Sequence, residues 1–474
     1  MADDKPLVLD IDGTFLKTDM LFECFWGALG KDPLSACRCA VANLTDRARL
    51  KRELAGIADL NVALLPVHPE LKDYADQQRN AGREVLLVSA SDQKLVSELA
   101  QHHGYSEHSR GSDGIANLKG EAKAEYLSQT YGEQGFDYAG DHAADRAVWA
   151  QADKALVVGD IEPTARPGQE VIRFAGGWSG RALLKAIRPH QWVKNVLLFL
   201  PILASHEFTL TNLLLLLLGI MAFSAAASSI YIVNDLLDLE ADRQHVKKRF
   251  RPFAAGTVPI PVGMLAFVFL SCAALGIAAL LGTGFLFTIL IYMGLSLAYS
   301  LQLKRMRWVD IAALASLYTL RVVAGAAATG VEASLYMMVF IFPVFITLGC
   351  VKRMTELALA TSDARLPGRG YGRADMGDLV NVSGLGMVFS LLIFFLYTRS
   401  DQAQMLYPTQ WLLWLAMVPM SAWLLRMIRL GYHGKQDHDP IVFALKDKRG
   451  IGFLLITVSL IFYAAGLWQQ WFGL

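Results

Sequence analysis

Residues 234–242 read Asn234-Asp235-Leu236-Leu237-Asp238-Leu239-Glu240-Ala241-Asp242 and close a long apolar run that begins near 210. Behind them comes Lys247-Lys248-Arg249-Phe250-Arg251-Pro252. Asp235, Asp238 and Asp242 stand at i, i+3 and i+7, so a helix carries all three carboxylates on one face. Hard divalent cations take such oxygen ligands and share them with substrate phosphates. The Lys/Arg run supplies charge-assisted donors for the remaining phosphate oxygens. An ordinary charged loop rarely interleaves the two signs at helical spacing. The pattern predicts a site for Mg2+ and a diphosphate at the mouth of a membrane helix.

Outward from this stretch the 474 residues divide into two unlike halves. The whole is 54% hydrophobic and 18% charged. Residues 1–175 carry the ordinary charge of a soluble α/β protein, whereas long apolar runs dominate from about 190 onward. The net charge of +1 identifies no partner, because the charges are segregated. No nucleic-acid partner is expected, and homo-oligomerisation is left open. Cys24, Cys37, Cys39, Cys272 and Cys350 show no metal-ligand spacing beyond Cys37-Arg38-Cys39 and read as reduced structural thiols. The N-terminal MADDKPLVLD lacks the basic region and apolar core of a signal peptide.

Apolar runs near 193–204, 210–237, 261–281, 284–302, 308–329, 335–353, 380–398, 408–428 and 450–471 predict nine membrane spans. The loops alternate in character. Arg243–Arg251, Lys304–Arg307, Lys352–Arg373 and Arg426–Arg449 are basic, while the intervening loops are nearly free of Lys and Arg. This asymmetry predicts a multi-pass protein of the cell inner membrane, with a cytoplasmic N-terminus and the C-terminus on the opposite side. Every motif-bearing loop then faces the cytoplasm. Arg321 is the outlier, roughly 20 Å along a helix from Trp308. An intramembrane arginine is costly unless it meets a polar cavity or a partner. Phosphate binding is the expected role, with an interhelical pair as the structural alternative.

Several motifs occur in order: Arg188-Pro189-His190-Gln191-Trp192-Val193-Lys194-Asn195, the Asn234–Asp242 stretch, Lys248–Pro252, and Tyr299-Ser300-Leu301-Gln302-Leu303-Lys304. Arg321-Val322-Val323-Ala324-Gly325, Lys352-Arg353-Met354-Thr355-Glu356 and Arg369-Gly370-Tyr371 follow. Together, over 188–450, they resemble the UbiA superfamily of intramembrane prenyltransferases. The likeness is strongest to its polyprenyl-phosphate phosphoribosyltransferase branch, the decaprenylphosphoryl-5-phosphoribose synthases. The resemblance implies an all-α, nine-helix transmembrane domain around a central cavity. Aromatic prenyltransferases of the superfamily carry a second DxxxD pair; here Asp310 stands without one, Leu314 lying four residues on. That departure fits a donor whose 5-phosphate is held by Lys and Arg, although Asp310 could merely pair with Lys304 or Arg307.

The resemblance implies transfer of 5-phosphoribosyl from phosphoribosyl diphosphate to a polyprenyl phosphate in the bilayer. Asp235, Asp238 and Asp242 would hold the donor diphosphate through Mg2+ and neutralise the leaving group. Lys194, Asn195, Asn234, Lys248, Arg251, Tyr299, Lys304, Asp310, Arg321, Lys352, Arg353 and Tyr371 are the expected substrate-binding residues. The acceptor is already anionic, so no general base is required. The alternative is a prenyltransferase joining a polyprenyl diphosphate to an aromatic acceptor, with the first half serving an unrelated substrate.

In that first half, Leu7-Val8-Leu9-Asp10-Ile11-Asp12-Gly13-Thr14 reads as an apolar strand ending in two carboxylates. Asp10 can attack phosphorus, and Asp12 can protonate the leaving oxygen and then activate water. Glu84–Ser91 is a second strand ending in a hydroxyl, Ser89, suited to a phosphoryl group. Lys123 supplies a cation, with Lys119 as fallback. Phe136–Asp145 is a strand ending in an acidic pair, Asp141 and Asp145. The four signals in this order resemble the haloacid dehalogenase superfamily of phosphatases. That resemblance implies an α/β Rossmannoid domain over 1–175, with Asp10, Asp12, Asp141 and Asp145 around Mg2+. A scaffold that has lost its activity is the plain alternative.

Residues 15–78 are expected to form a helical cap, 176–187 a linker, and 188–474 the transmembrane domain. Within the cap, LFECFWGALG and LSACRCAVANL are unusually apolar for a soluble surface, which suits either cap packing or rest upon a membrane. Adjacency of the halves suggests that the phosphatase removes the 5-phosphate from the lipid-linked product, giving polyprenylphosphoryl ribose.

Overall fold

The computed structural model describes residues 5–112, 118–360, 365, 369–436 and 439–473. The first four residues of the N-terminal stretch discussed above lie outside the described residues, as do parts of the basic loops 352–373 and 426–449. The chain divides into two compact units: residues 1–187 with 231–268, and residues 188–230 with 269–474. The aspartate-bearing stretch groups with the N-terminal unit.

Six strands, β1 (Leu7–Leu9), β2 (Val85–Asp92), β3 (Arg110–Ser112), β4 (Asp137–Gly140), β5 (Ala155–Val158) and β6 (Val171–Phe174), form one sheet in the order β3-β2-β1-β4-β5-β6. Every adjacent pair is parallel, with Leu7 opposite both Val85 and Asp137. A parallel sheet is covered on both faces, which is why β1 is an uninterrupted apolar run. Leu7 and Leu9 join the core cluster that includes Leu54, Leu71 and Leu99, while Val8 joins the one built on Leu86, Tyr138 and Trp149. Strand order reverses about β1, so the crevice beyond the carboxyl ends of β1 and β4 is where such a sheet receives ligands.

Between β1 and β2 run the helices Met20–Lys31, Pro33–Ala42, Arg47–Ala58 and Pro69–Asn80. Asp19, Asp32 and Asp46 cap the first three through their carboxylates, each accepting from backbone N–H groups of the first turn. These caps break one helical stretch into short pieces. Residues 180–186, expected within a linker, form a helix capped by Ser179.

Seven helices among the described residues are long and apolar enough to cross a membrane: Leu210–Leu237, Ile260–Leu281, Thr283–Leu301, Val309–Thr329, Leu335–Ala358, Arg373–Thr398 and Trp411–Tyr432. The other two of the nine expected spans are interrupted. Residues 193–204 fall on a 3-10 stretch, Pro189–Phe199, followed by the short helix Leu200–Ser205, with prolines opening both pieces. Proline supplies no N–H to the ladder. Residues 450–471 are split between Lys448–Ala464 and Leu467–Phe472 by Gly466 at φ +71°. Small residues permit close backbone approach: a Cβ at Gly325 would lie 2.0 Å from the Leu198 carbonyl oxygen.

Candidate functional sites

At the carboxyl ends of β1, β2 and β4 the N-terminal unit gathers Asp10, Asp12, Ser91, Lys123, Asp141 and Asp145. Lys123 Nζ lies 2.8 Å from Asp10 Oδ1 and 3.9 Å from Asp145 Oδ1, and donates to the Tyr138 hydroxyl at 2.8 Å. That hydroxyl donates to Asp145 at 2.8 Å. Thr14 donates to Asp141 at 2.9 Å. Gly13 adopts φ +78°, and a Cβ there would stand 2.2 Å from Asp141 Oδ2. Only glycine fits that turn.

Asp10, Asp141 and Asp145 each bring a carboxylate oxygen within 4.8 Å of the others. Three hard oxygen donors this close fit Mg2+. Burial, reinforced by Asp10, raises the Asp141 carboxyl to about 7. Burial also raises Asp10, against the pull of Lys123. Crowded, desolvated carboxylates resist ionisation unless a cation joins them.

Asp12, expected among the metal ligands, points elsewhere. Its oxygens accept from the Met20 N–H at 2.8 Å and the Ser91 hydroxyl at 2.7 Å. Burial, then the charge of Asp19, pushes it up to about 7, a range that suits proton exchange near neutrality. Ser89, the expected hydroxyl, instead accepts from the Ser91 N–H at 3.1 Å. Residues i and i+2 share a strand face, so strand periodicity does not choose between them. Lys123 occupies the site, while Lys119 is exposed. Lys51, from the helix Arg47–Ala58, donates to the Ala90 carbonyl at 2.7 Å, and its charge acts on Asp12 and Asp19.

The aspartate stretch makes a second cluster in the same unit. The long helix ends at Leu237 and a new one begins at Leu239, with Asp238 between them at φ −100°. The expected single helix is broken there, yet Asp238 N–H still bonds to the Asn234 carbonyl and Asp242 N–H to that of Asp238. Asp235 and Asp242 are each 2% exposed and converge on one nitrogen of Arg251, at 3.1 and 2.6 Å. The pair thus grips a guanidinium, whereas among the described residues the carboxylates gathered within metal-ligand reach of one another are those of Asp10, Asp141 and Asp145 and not the expected trio Asp235, Asp238 and Asp242. Asn234 and Asp238 are half-buried, and Lys248 is exposed.

The membrane unit contains a third constellation. Arg321 donates to Asn195 Oδ1 at 3.2 Å, to the Tyr292 hydroxyl at 3.2 Å and to the Leu317 carbonyl at 2.7 Å. The rings of Phe223, Tyr292 and Tyr318 surround its guanidinium at 5.1 to 5.7 Å. Cation–π contact and neutral acceptors make an intramembrane arginine tolerable. Asn195 also donates to Ser224 at 2.8 Å. Lys194 meets Asp439 at 2.5 Å, and the Tyr318 hydroxyl donates to the same carboxylate at 3.2 Å. Although burial acts the other way, Lys194 and Lys352 hold the Asp439 carboxyl below its ordinary range.

Asp310 and Arg353, both fully buried, join through Nε and Nη2 at 2.5 and 2.8 Å. Arg353 also pairs with Glu356 and donates to the Tyr299 hydroxyl at 2.8 Å. Asp310 therefore pairs with Arg353 rather than with Lys304 or Arg307, and Arg353 is engaged by protein carboxylates. Tyr371 is fully buried, its hydroxyl accepting from the Trp308 N–H at 2.7 Å. Lys304 and Lys352 are half-buried. The reading of the sequence missed Asp439; the Asp439-Pro440 pair, an N-cap before proline, was its only local signal.

Residues 196–446 match the model of the UbiA prenyltransferase family. The uncharacterized protein y4nM of Sinorhizobium fredii is 35% identical over 467 residues, covering 95% of this chain and 90% of that one. Decaprenyl-phosphate phosphoribosyltransferase of Mycobacterium tuberculosis is 36% identical over 184 residues, which span 38% of this chain and 61% of that protein. A UbiA homolog from Archaeoglobus fulgidus, solved bound to GPP and Mg2+, superposes with a TM-score of 0.45 at 15% identity, covering 60% of this chain and 98% of that one. With seven membrane-length apolar helices among the described residues, the protein is an integral membrane protein and a transferase by descent. The chain belongs to the UbiA prenyltransferase family.

Proposed function

We propose that the protein transfers 5-phosphoribosyl from phosphoribosyl diphosphate to a polyprenyl phosphate, and that its N-terminal unit then removes the 5-phosphate. The observation that carries this reading is the convergence of buried Asp235 and Asp242 on Arg251 at the end of an apolar span. The relative named decaprenyl-phosphate phosphoribosyltransferase supplies the substrate class.

In the first step a phosphate oxygen of the lipid attacks C1 of the ribose, and the bond from C1 to the diphosphate oxygen breaks. Asp235, Asp238 and Asp242 would hold the Mg2+ that neutralises the diphosphate end of the donor. Arg251 leaves its two carboxylates to meet the departing phosphates. Lys194, Asn195, Lys248, Tyr299, Lys304, Arg321 and Lys352 position the remaining anionic groups and stabilise developing charge. Asp310, Arg353 and Tyr371 act behind them, as a buried support.

In the second step Asp10 Oδ attacks the 5-phosphorus while the ester bond to the C5 oxygen breaks. Asp12 delivers its proton to that oxygen, then takes one from the water that releases phosphate from Asp10. Ser89, Ser91 and Lys123 hold phosphoryl oxygens. Mg2+ bound by the acidic groups of each site would neutralise phosphate charge in both steps. The distribution of Lys and Arg supports a cytoplasmic orientation for both sites.

The test uses purified full-length protein with labelled phosphoribosyl diphosphate or labelled polyprenyl diphosphate, each with its acceptor. The reading expects label to enter lipid from the first donor together with polyprenyl phosphate, with free diphosphate released. Transfer from the second donor to an aromatic acceptor, and none from the first, would overturn it.

A further inference from the structure

Among the described residues of 5–170, large apolar side chains stand exposed at three positions: Leu34 at 82%, Val41 at 71% and Leu44 at 70%. They sit within one stretch, on and just beyond the helix Pro33–Ala42. Leu34, Cys37 and Val41 are spaced i, i+3 and i+7, so they share a helix face. By contrast, the neighbouring apolar helix Met20–Lys31 turns Met20, Cys24, Trp26 and Ala28 inward. Cap packing therefore accounts for the first apolar stretch of the cap and, in the second, for the buried Ala36 and Cys39 but not for Leu34 and Val41. Lys31, Arg38, Arg47 and Arg49 are exposed in and beside the same stretch, Lys31 lying 3.6 Å from Asp59 and Arg49 2.8 Å from Glu53.

Within the same unit, the helix that precedes this face packs against the end of a span. A Cβ at Gly30, in the last turn of Met20–Lys31, would stand 3.4 Å from the carbonyl oxygen of Leu237, the last residue of a span. Asp32 alone separates that helix from Pro33–Ala42 and caps it by accepting from the Ser35 N–H at 3.1 Å. Two further contacts hold the cap in place. Arg243 forks onto Glu23 within Met20–Lys31. Gly256, at φ +66°, approaches Lys17 and Pro66 so closely that a Cβ would meet Lys17 Cβ at 2.6 Å. The connection leaving the span has the same surface chemistry, with Val246 75% and Phe250 62% exposed beside Lys247 and Arg249.

We infer that the face formed by Leu34, Cys37, Val41 and Leu44 docks on the bilayer, its aliphatic side chains entering the headgroup boundary and its flanking cations meeting anionic lipid. An aliphatic cluster rimmed by Lys and Arg at the polar end of a span has the composition of an interfacial element. Docking would also hold the unit that carries the Asp10 site at the surface where a lipid-borne substrate resides, a consequence that rests on the proposed phosphatase reading.

Cys37 is an exposed reporter on the face itself, and Cys272 is the other exposed thiol. In full-length C272A, a fluorophore on Cys37 is read in nanodiscs of anionic lipid carrying a headgroup-level quencher, with one protein per disc. A label on Gln129→Cys, exposed on the helix Glu121–Tyr131, serves as control. The Cys37 label should be quenched and the control should not. Leu34→Ser/Val41→Ser/Leu44→Ser should abolish quenching, and should raise KM for a lipid-linked 5-phosphate by roughly tenfold while leaving hydrolysis of a soluble sugar phosphate unchanged. Equal signals at both labels, or quenching that needs two proteins per disc, would overturn the inference. Quenching at Cys37 without any 5-phosphate hydrolysis would uphold the docking and overturn the phosphatase reading alone.

Discussion

Arg243 meets Glu23 through two parallel hydrogen bonds, 3.0 and 2.5 Å long, between side chains only 7% and 2% exposed. The Thr18 hydroxyl donates to the same carboxylate at 2.7 Å. Glu23 lies in the first turn of the helix whose Met20 N–H is bonded to Asp12, and Arg243 directly follows Asp242. The pair thus ties the Asp10 site to the aspartate stretch. Removing one partner strands the other as a buried charge, so Arg243→Ala should destabilise the fold by about 3–5 kcal/mol. Glu23→Gln/Arg243→Met, which leaves no orphan charge, should cost much less. Denaturant unfolding of the detergent-solubilised protein distinguishes the two; equal losses would contradict the assignment.

Gly13 sits where a side chain cannot. Gly13→Ala adds a Cβ 2.2 Å from Asp141 Oδ2 in a left-handed backbone, a conformation that strains L-residues by about 1–3 kcal/mol. The substitution should displace Asp141 and abolish Mg2+-dependent hydrolysis of p-nitrophenyl phosphate. Lipid labelling from phosphoribosyl diphosphate should persist, since that chemistry belongs to other residues.

Arg251 occupies the place between Asp235 and Asp242 that a cation would take. Arg251→Gln should lower transferase turnover by about 10²-fold or more, as removal of a charge-stabilising donor does. Chelation by EDTA should silence wild type and variant alike, and added Mg2+ should restore only the wild type fully. Unchanged turnover of the variant would remove Arg251 from the proposed mechanism.

Asp310 and Arg353 are predicted to matter for stability first. Both are fully buried and joined at 2.5 and 2.8 Å, so Asp310→Ala should cost about 3–5 kcal/mol. Arg353→Lys loses the planar fork and should also destabilise. Lys352→Met, by contrast, should leave the melting temperature nearly unchanged while reducing transfer. Thermal unfolding beside a lipid-labelling assay separates these outcomes.

How legible was this in the sequence? The strand-end motifs were, because the geometry that unites Asp10, Lys123, Asp141 and Asp145 is imposed locally, each motif ending its own strand or opening its own helix in a parallel sheet. Asp235 and Asp242 were legible as a pair through helical spacing, although the break at Asp238 was not. Partners far apart in sequence were hidden. Glu23 and Arg243 lie 220 positions apart, and nothing local ties Lys194 to Asp439. Ser91 and Ser89 could not be ranked, since strand periodicity gives them one face. The interruptions within 193–204 and 450–471 were hidden for a different reason: hydropathy registers apolar character but not Pro201 or the left-handed Gly466.

The most direct test is mass spectrometry of lipids formed from phosphoribosyl diphosphate and polyprenyl phosphate by wild type, Asp10→Asn and Asp235→Asn. The account predicts polyprenylphosphoryl ribose from wild type, accumulation of its 5-phosphate with Asp10→Asn, and no lipid-linked ribose with Asp235→Asn. Dephosphorylated product from Asp10→Asn, or undiminished lipid-linked ribose from Asp235→Asn, would contradict it.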